Sequence, residues 1–202
     1  IDLADYYAGD YKTLSASADE DDLYAVRDGQ PVLRNAHMAD VLAIKVGDFA
    51  GDVLDYGCGK SLVMRHYQDR APGARVHLYD VSRDYVDFWD GFVPAERQAC
   101  FTLPPAWDGR FDLVTSFFSL EHVADPVGEL RTMRRLLRDA GRLHIVVPNL
   151  YSANVADLVV IDHVQHYSEE SMRTALRLAG FALVEHDPRR AAFDPASRTP
   201  SS

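Results

Sequence analysis

Cysteine is nearly absent from this chain. Cys58 and Cys100 are the only two in 202 residues, so no disulfide framework is indicated. Long apolar runs are also missing: nothing approaches the ~20 residues of a membrane-spanning helix, and no signal-peptide pattern opens the chain. The chain begins at Ile1, so a native start upstream is expected, with a cytoplasmic location as the default. Positive charge is in the minority. Lys and Arg number 21 against 31 Asp and Glu, a formal net charge of -10. That balance disfavours a nucleic-acid partner, because phosphate backbones are held by clustered Lys and Arg. A small-molecule partner is expected instead; the oligomeric state is not readable, and a homodimer is left open.

Apolar residues make up 47% of the chain and charged residues 26%, as in an ordinary globular domain with a real core. Apolar runs of strand length alternate with helix-period segments, which argues an α/β domain with a mainly parallel sheet.

The chain is organised around Val53-Leu54-Asp55-Tyr56-Gly57-Cys58-Gly59-Lys60-Ser61. An apolar strand runs into an acid and two glycines, and a helix pattern follows at once. Glycine permits a tight turn and close approach of a ligand to bare backbone, and the helix start behind it offers free N–H groups. Two phosphate loops are excluded. A dinucleotide fingerprint needs a third glycine where Leu62 stands, and a Walker loop ending at Lys60-Ser61 needs one at Leu54. Asp55 would repel a pyrophosphate and suits a cationic amino group. Cys58 is expected to pack or to offer backbone, not to act as a nucleophile.

This stretch resembles the first motif of class I S-adenosylmethionine-dependent methyltransferases, D/E-x-G-x-G-x-G, with Ser61 in the last glycine slot. A second stretch, Leu120-Glu121-His122-Val123-Ala124-Asp125-Pro126, is similar to the family pattern L-E-H-V-x-D-P. The resemblance covers residues 50–186. It implies a three-layer, doubly wound, mainly parallel sheet of seven strands with the last one short or vestigial. It also implies S-adenosyl-L-methionine as methyl donor, leaving as S-adenosyl-L-homocysteine. Carried over residue by residue, it places the cofactor on Asp55, Tyr56, Gly57, Cys58, Gly59, Asp80, Val81, Ala99, Cys100, Ser116 and Phe117. Asp80 closes the strand at 75–80, where a carboxylate can accept two ribose hydroxyls. Ala99 and Cys100 stand where the family often has an acid for the adenine amino group, so that contact falls to backbone and apolar packing.

The remaining elements are read in order. Residues 1–47 form an acidic, aromatic segment plus a helix at 31–46. Residues 1–29 are open to two readings: a solvated leader, its acids at 19–22 a solvated face, or a lid whose Tyr7 and Tyr11 touch ligand. The cofactor domain spans 48–187, with strands at 52–56, 75–80, 97–103, 111–118, 141–147 and 181–185. Asp125 and Pro126 open one helix and Ser168 another. Residues 188–202 are a short strand, with 190–193 its only material, or a disordered tail.

For chemistry, the place after strand 111–118 reads Thr115-Ser116-Phe117-Phe118, not the Asn/Asp-Pro-Pro-aromatic signature of methyltransferases acting on planar amines and amides. Phe118 and Tyr151 are candidate acceptor contacts. Asp162-His163-Val164-Gln165-His166 is similar to the histidine run of sugar and natural-product methyltransferases. His163 first, then His166, is a candidate base, with Asp162 to orient it; the opposing reading is a pair of helix-entry histidines. His122 is expected to orient or pack. No third metal ligand has recognisable spacing, so no metal is expected. The reading is methyl transfer to a small molecule, a hydroxyl of a sugar or secondary metabolite, with C- and N-methylation open. Its rivals are a non-catalytic methyltransferase-like scaffold and an NAD-dependent oxidoreductase.

Overall fold

A computed structural model describes residues 21–47, 49–151 and 163–184. The described chain opens with a hairpin, β1 (Leu23–Arg27) and β2 (Gln30–Leu33), paired antiparallel. Asp28 and Gly29 both take positive φ, 52° and 76°, which is the backbone of a two-residue hairpin turn. Neither reading of residues 1–29, solvated leader or lid, placed a strand here. The Asp-Gly signal was present in the sequence, but the flanking alternation is short. The hairpin also moves the start of the following helix, α1 (Arg34–Val46), three residues later than the periodicity suggests.

The Asp21 carboxylate accepts from the backbone N–H groups of Asn35 at 2.9 Å and Ala36 at 3.2 Å. It therefore caps α1 from outside the helix and meets its positive end. With a side chain only 3% exposed, Asp21 is a structural cap and not part of a solvated acidic face.

Five parallel strands follow: β3 (Gly51–Tyr56), β4 (Ala74–Asp80), β5 (Gln98–Cys100), β6 (Phe111–Phe117) and β7 (Leu137–Val146). Their order across the sheet is β5-β4-β3-β6-β7. Order reverses between β3 and β6, which opens a crevice at their carboxyl ends, where open α/β sheets bind ligands. On one face lie α1, α2 (Leu62–Arg70) and the short α3 (Val86–Trp89), packed with Val53, Val76, Leu78 and Leu113. On the other lie α4 (Pro126–Leu136) and α5 (Glu169–Leu178), packed with Leu54, Tyr56, Tyr79 and Val114. Helices on both faces of a parallel sheet make the three-layer, Rossmann-like arrangement that the resemblance implies. Met38, Ala39 and Leu42 of α1 are core residues, so the helix assigned with the N-terminal segment packs into the same unit as the glycine loop.

The helix starts follow their sequence signals. Asp125 accepts from the Gly128 N–H at 2.9 Å with Pro126 first in α4, and Ser168 forms a reciprocal cap with Ser171 on α5. β7 begins at Leu137, earlier than expected, because its register slips between the pairs Phe111–Leu137 and Leu113–Arg142 and absorbs an irregular stretch. The expected strand at 181–185 is not formed over residues 181–184, which lie after α5 without strand pairing. The expected seventh strand at 190–193 falls outside the described residues. Among these residues the sheet therefore has five strands, not seven.

Candidate active site

β3 delivers Asp55 to the crevice. Its side chain is 2% exposed and accepts hydrogen bonds from Ser61 Oγ at 2.7 Å and Thr115 Oγ1 at 2.9 Å. Burial pushes its carboxyl up to about 7, against the two hydroxyl donors and reinforced by nearby Asp80. The chain then turns through Gly57 (φ 67°), Gly59 (φ 49°) and Ser61 (φ 55°). Ser61 thus adopts the left-handed backbone that the resembled motif reserves for glycine at that slot. It uses its side chain to hold the acid that opens the turn.

The turn is anchored on β4. Gly57 and Cys58 donate their N–H groups to the Tyr79 carbonyl at 2.9 and 3.1 Å, and Gly59 N–H donates to Asp80 Oδ2 at 2.8 Å. Asp80 Oδ1 accepts from Ser82 N–H at 2.9 Å. The Val81 N–H also donates to this carboxylate, so three of its four acceptor sites are filled and one remains for a ligand hydroxyl. A side chain at Gly57 would meet Ser119 Oγ at 2.0 Å, whereas one at Gly59 would meet nothing within 4 Å. The loop is packed against the exit of β6 on one side and open on the other. The Cys58 thiol is pushed well up by burial, which disfavours the thiolate that a nucleophile needs.

Asp55, Gly57, Cys58, Gly59, Phe117 and Phe118 share a cleft of about 190 Å³ with Arg34 and Asn35 from the start of α1. Arg34 lies 4.5 Å over the Phe118 ring and 3.6 Å from the Asp22 carboxylate. Thr115 and Arg34 were missed by sequence reasoning. Thr115 sits on the apolar strand and shows no signal, while Arg34 lies far from the glycine motif and enters only because the hairpin aims α1 at the crevice.

Several expected contacts are corrected. Tyr56 faces the other layer, where its hydroxyl donates to Glu129, so it can offer the cofactor only backbone. Ala99 packs in that layer's core beside Tyr79, and Cys100, paired with Asp80, lies on the cofactor side. Ser116 is fully buried and lines no wall of the cleft; alternation along β6 puts it on the face opposite Phe117, which lines the cleft, and Thr115, which bonds Asp55. Val81 follows Asp80 and is exposed. Tyr151 is 83% exposed, outside the cleft. Tyr7, Tyr11 and Asp162 lie outside the described residues.

The histidines converge. Glu121 and His122 sit on a tight turn, Leu120–His122, directly after β6. Gln165 N–H donates to the Glu121 carbonyl at 2.9 Å, and the Tyr167 hydroxyl to the Leu120 carbonyl at 3.1 Å. These bonds bring His163 to 5.0 Å from His122, ring to ring, with His166 another 6.4 Å on from His163. Side-chain ligand atoms of Glu121, His122 and His163 all lie within 4.8 Å of one another. Glu121 was quoted in the sequence motif but given no role.

A parallel sheet with a glycine turn after its central strand, a strand-end acid beside it and a packed β6 exit defines a nucleoside-cofactor domain. The donor set fits S-adenosylmethionine: carboxylates face the loop, no phosphate cradle is built, and the open face of Gly59 admits a ligand to backbone. The chain matches the family model described as "Methyltransferase domain" over residues 30–186, and it belongs to that family. It is an S-adenosylmethionine-dependent methyltransferase of class I.

It is 28% identical over 183 residues to a ubiquinone/menaquinone biosynthesis C-methyltransferase of Paracoccus denitrificans, covering 73% of this chain and 72% of that one. It is 33% identical over 121 residues to a ubiquinone biosynthesis O-methyltransferase of Xanthomonas oryzae pv. oryzae, covering 56% and 50%. In fold it is similar to a methyltransferase solved with the Trm112 activator of Haloferax volcanii, with a TM-score of 0.63 at 24% identity over 76% of this chain and 72% of that one.

Proposed function

We propose that this methyltransferase acts on a hydroxyl of a small molecule, a sugar or secondary metabolite. The observation that carries the reading is the gathering of His122, His163 and Glu121 beside the exit of β6. An alcohol must lose a proton to attack a methyl carbon, and an imidazole near neutral pH is suited to take it. Among relatives, one curated name is an O-methyltransferase and another a C-methyltransferase, which keeps an acidic carbon as the second acceptor class.

Bound S-adenosylmethionine supplies an electrophilic methyl on a good leaving group. This chain's residues then bind and align. Asp80 takes a ribose hydroxyl, the Gly57–Gly59 backbone and Asp55 face the ammonium, and Arg34 meets the carboxylate across the cleft. Phe117 and Phe118 wall off the crevice, and His163 takes the acceptor proton with His166 behind it. Alignment accounts for most of the acceleration in such a transfer, and a positioned base adds ~10²–10⁴-fold. No helix among the described residues is long and apolar enough to cross a membrane, consistent with a proposed cytoplasmic setting. The test is an acceptor screen with wild type and His163→Ala. Methylated hydroxyl products that disappear in the variant, while S-adenosylhomocysteine still binds, support the reading; products methylated only at carbon or nitrogen overturn it.

A further inference from the structure

We propose that Glu121, His122 and His163 form a binding site for one divalent transition-metal ion of the zinc class. One carboxylate oxygen and two imidazole nitrogens lie within 4.8 Å of one another. Around a zinc-class ion with bonds of ~2.0–2.2 Å, tetrahedral ligands stand roughly 3.3–3.5 Å apart. Rotation of half-buried His122 and His163 closes that difference. Two histidines and one acid form the ligand set of open zinc sites, which keep a further position for an exogenous oxygen. Calcium and magnesium want more oxygens than this cluster holds.

Two further observations support a built site. Glu121 is 1% exposed, with the Arg34 guanidinium close enough to act on it, so the carboxylate is held in place by the packing around it. The ligands are also pre-positioned. Gln165 N–H on the Glu121 carbonyl and the Tyr167 hydroxyl on the Leu120 carbonyl fix the segment carrying His163 to the turn carrying the other two. The sequence concealed the site because Glu121 and His122 are adjacent while the third ligand comes from a distant segment.

The ion's role rests on the hydroxyl-transfer reading above, whereas its binding does not. With the ion in place, His163 is a ligand and not the base named above, and of that reading only the hydroxyl acceptor is kept. An acceptor hydroxyl at the open position is acidified by the ion's charge, its proton leaves to water, and its oxygen is held toward the β6 exit. Acceptors with a hydroxyl free to coordinate, and above all those with a neighbouring second oxygen, would be preferred.

The test is titration of the chelator-stripped full chain with Co²⁺, followed by visible absorption and displaced by Zn²⁺, with S-adenosylhomocysteine binding measured separately. The expected result is saturation at one equivalent, a visible band of four- or five-coordinate cobalt, and at least a tenfold loss of affinity in His163→Ala and His122→Ala. His166→Ala should leave metal affinity unchanged. Because Glu121 is buried, the half-buried histidines carry the test, and retained S-adenosylhomocysteine binding shows that each variant is folded. Absence of saturable cobalt binding, or binding indifferent to both histidine variants, overturns the proposal. Neither result depends on turnover, so failure of the acceptor screen bears only on the proposed function.

Discussion

The Ser61 hydroxyl donates to the buried Asp55 carboxylate at 2.7 Å, closing the cofactor turn upon the acid that begins it. Ser61 does this from φ 55°, a backbone region that costs a non-glycine residue ~1–2 kcal/mol. The two effects oppose each other and can be separated. Ser61→Ala keeps the strain and loses the bond, leaving Asp55 one donor short; it should destabilise the protein by ~1–3 kcal/mol in denaturant unfolding. Ser61→Gly loses the same bond but relieves the strain, so it should be more stable than Ser61→Ala by about 1 kcal/mol. Equal stability of the two variants would show that the left-handed backbone carries no cost here.

Two buried groups give stability opposite dependences on pH. Burial between Trp107 and Phe111, with nearby Arg110, pushes His77 down to about 4. The unfolded chain therefore binds more protons below the ordinary value of 6.5, and stability falls as pH drops from there toward 4. Asp55 is raised from 3.8 to about 7, so its contribution is fully present below 3.8 and is lost as pH rises through 7. At ~1.4 kcal/mol per pKa unit, each effect amounts to about 3–4 kcal/mol over its window. The two windows overlap between pH 4 and 6.5, where the slopes offset each other. In melts from pH 4 to 8, His77→Gln should leave stability falling as pH rises through that range, and Asp55→Asn should leave it rising. Parallel pH profiles in the two variants would show that neither group sets the dependence.

Gly57 and Gly59 look alike in the sequence motif and should not behave alike. Both have positive φ, so alanine is strained at each by about 1 kcal/mol. At Gly57 the new methyl would also run into Ser119 Oγ, whereas at Gly59 it would enter open space. Gly57→Ala should therefore be the more destabilising by ~1–3 kcal/mol. Adding Ser119→Gly should recover most of that difference but not the backbone strain. Gly59→Ala should fold well yet bind S-adenosylhomocysteine poorly, because its methyl occupies the face left to ligand.

The sheet and the glycine turn were legible because each rests on local rules. Apolar runs, the acids Asp55 and Asp80 at the ends of β3 and β4, and Asp125-Pro126 or Ser168 at a helix start announce themselves within a few residues. What escaped depends on distance in sequence. Thr115 meets Asp55 across two strands, Asp21 caps a helix that starts at Arg34, and Glu121 joins His163 only because Gln165 bonds to the β6 exit turn. Tyr56 and Ser116 were misplaced for a different reason. A side chain's face is set by strand alternation, and a motif that assigns a backbone position carries no such information. The short hairpin at Leu23–Leu33 was passed over because an acidic, aromatic neighbourhood obscured its Asp-Gly turn.

Asp80 and Arg34 should hold opposite ends of the cofactor, and a truncated ligand can tell them apart. Asp80 keeps acceptor capacity beside the ribose position, while Arg34 faces the cleft that Asp55 and the glycine turn enclose. A hydrogen bond to a charged group is worth ~1.5–3 kcal/mol, or roughly 10–150-fold in affinity. Calorimetric titration with S-adenosylhomocysteine should show a loss of that order in both Asp80→Ala and Arg34→Gln. With 5′-methylthioadenosine, which has the nucleoside but no amino-acid end, Asp80→Ala should lose binding again and Arg34→Gln should match wild type. A loss of 5′-methylthioadenosine binding in Arg34→Gln would mean that this arginine acts by holding Phe118 and the hairpin against the crevice, and not through the ligand's carboxylate.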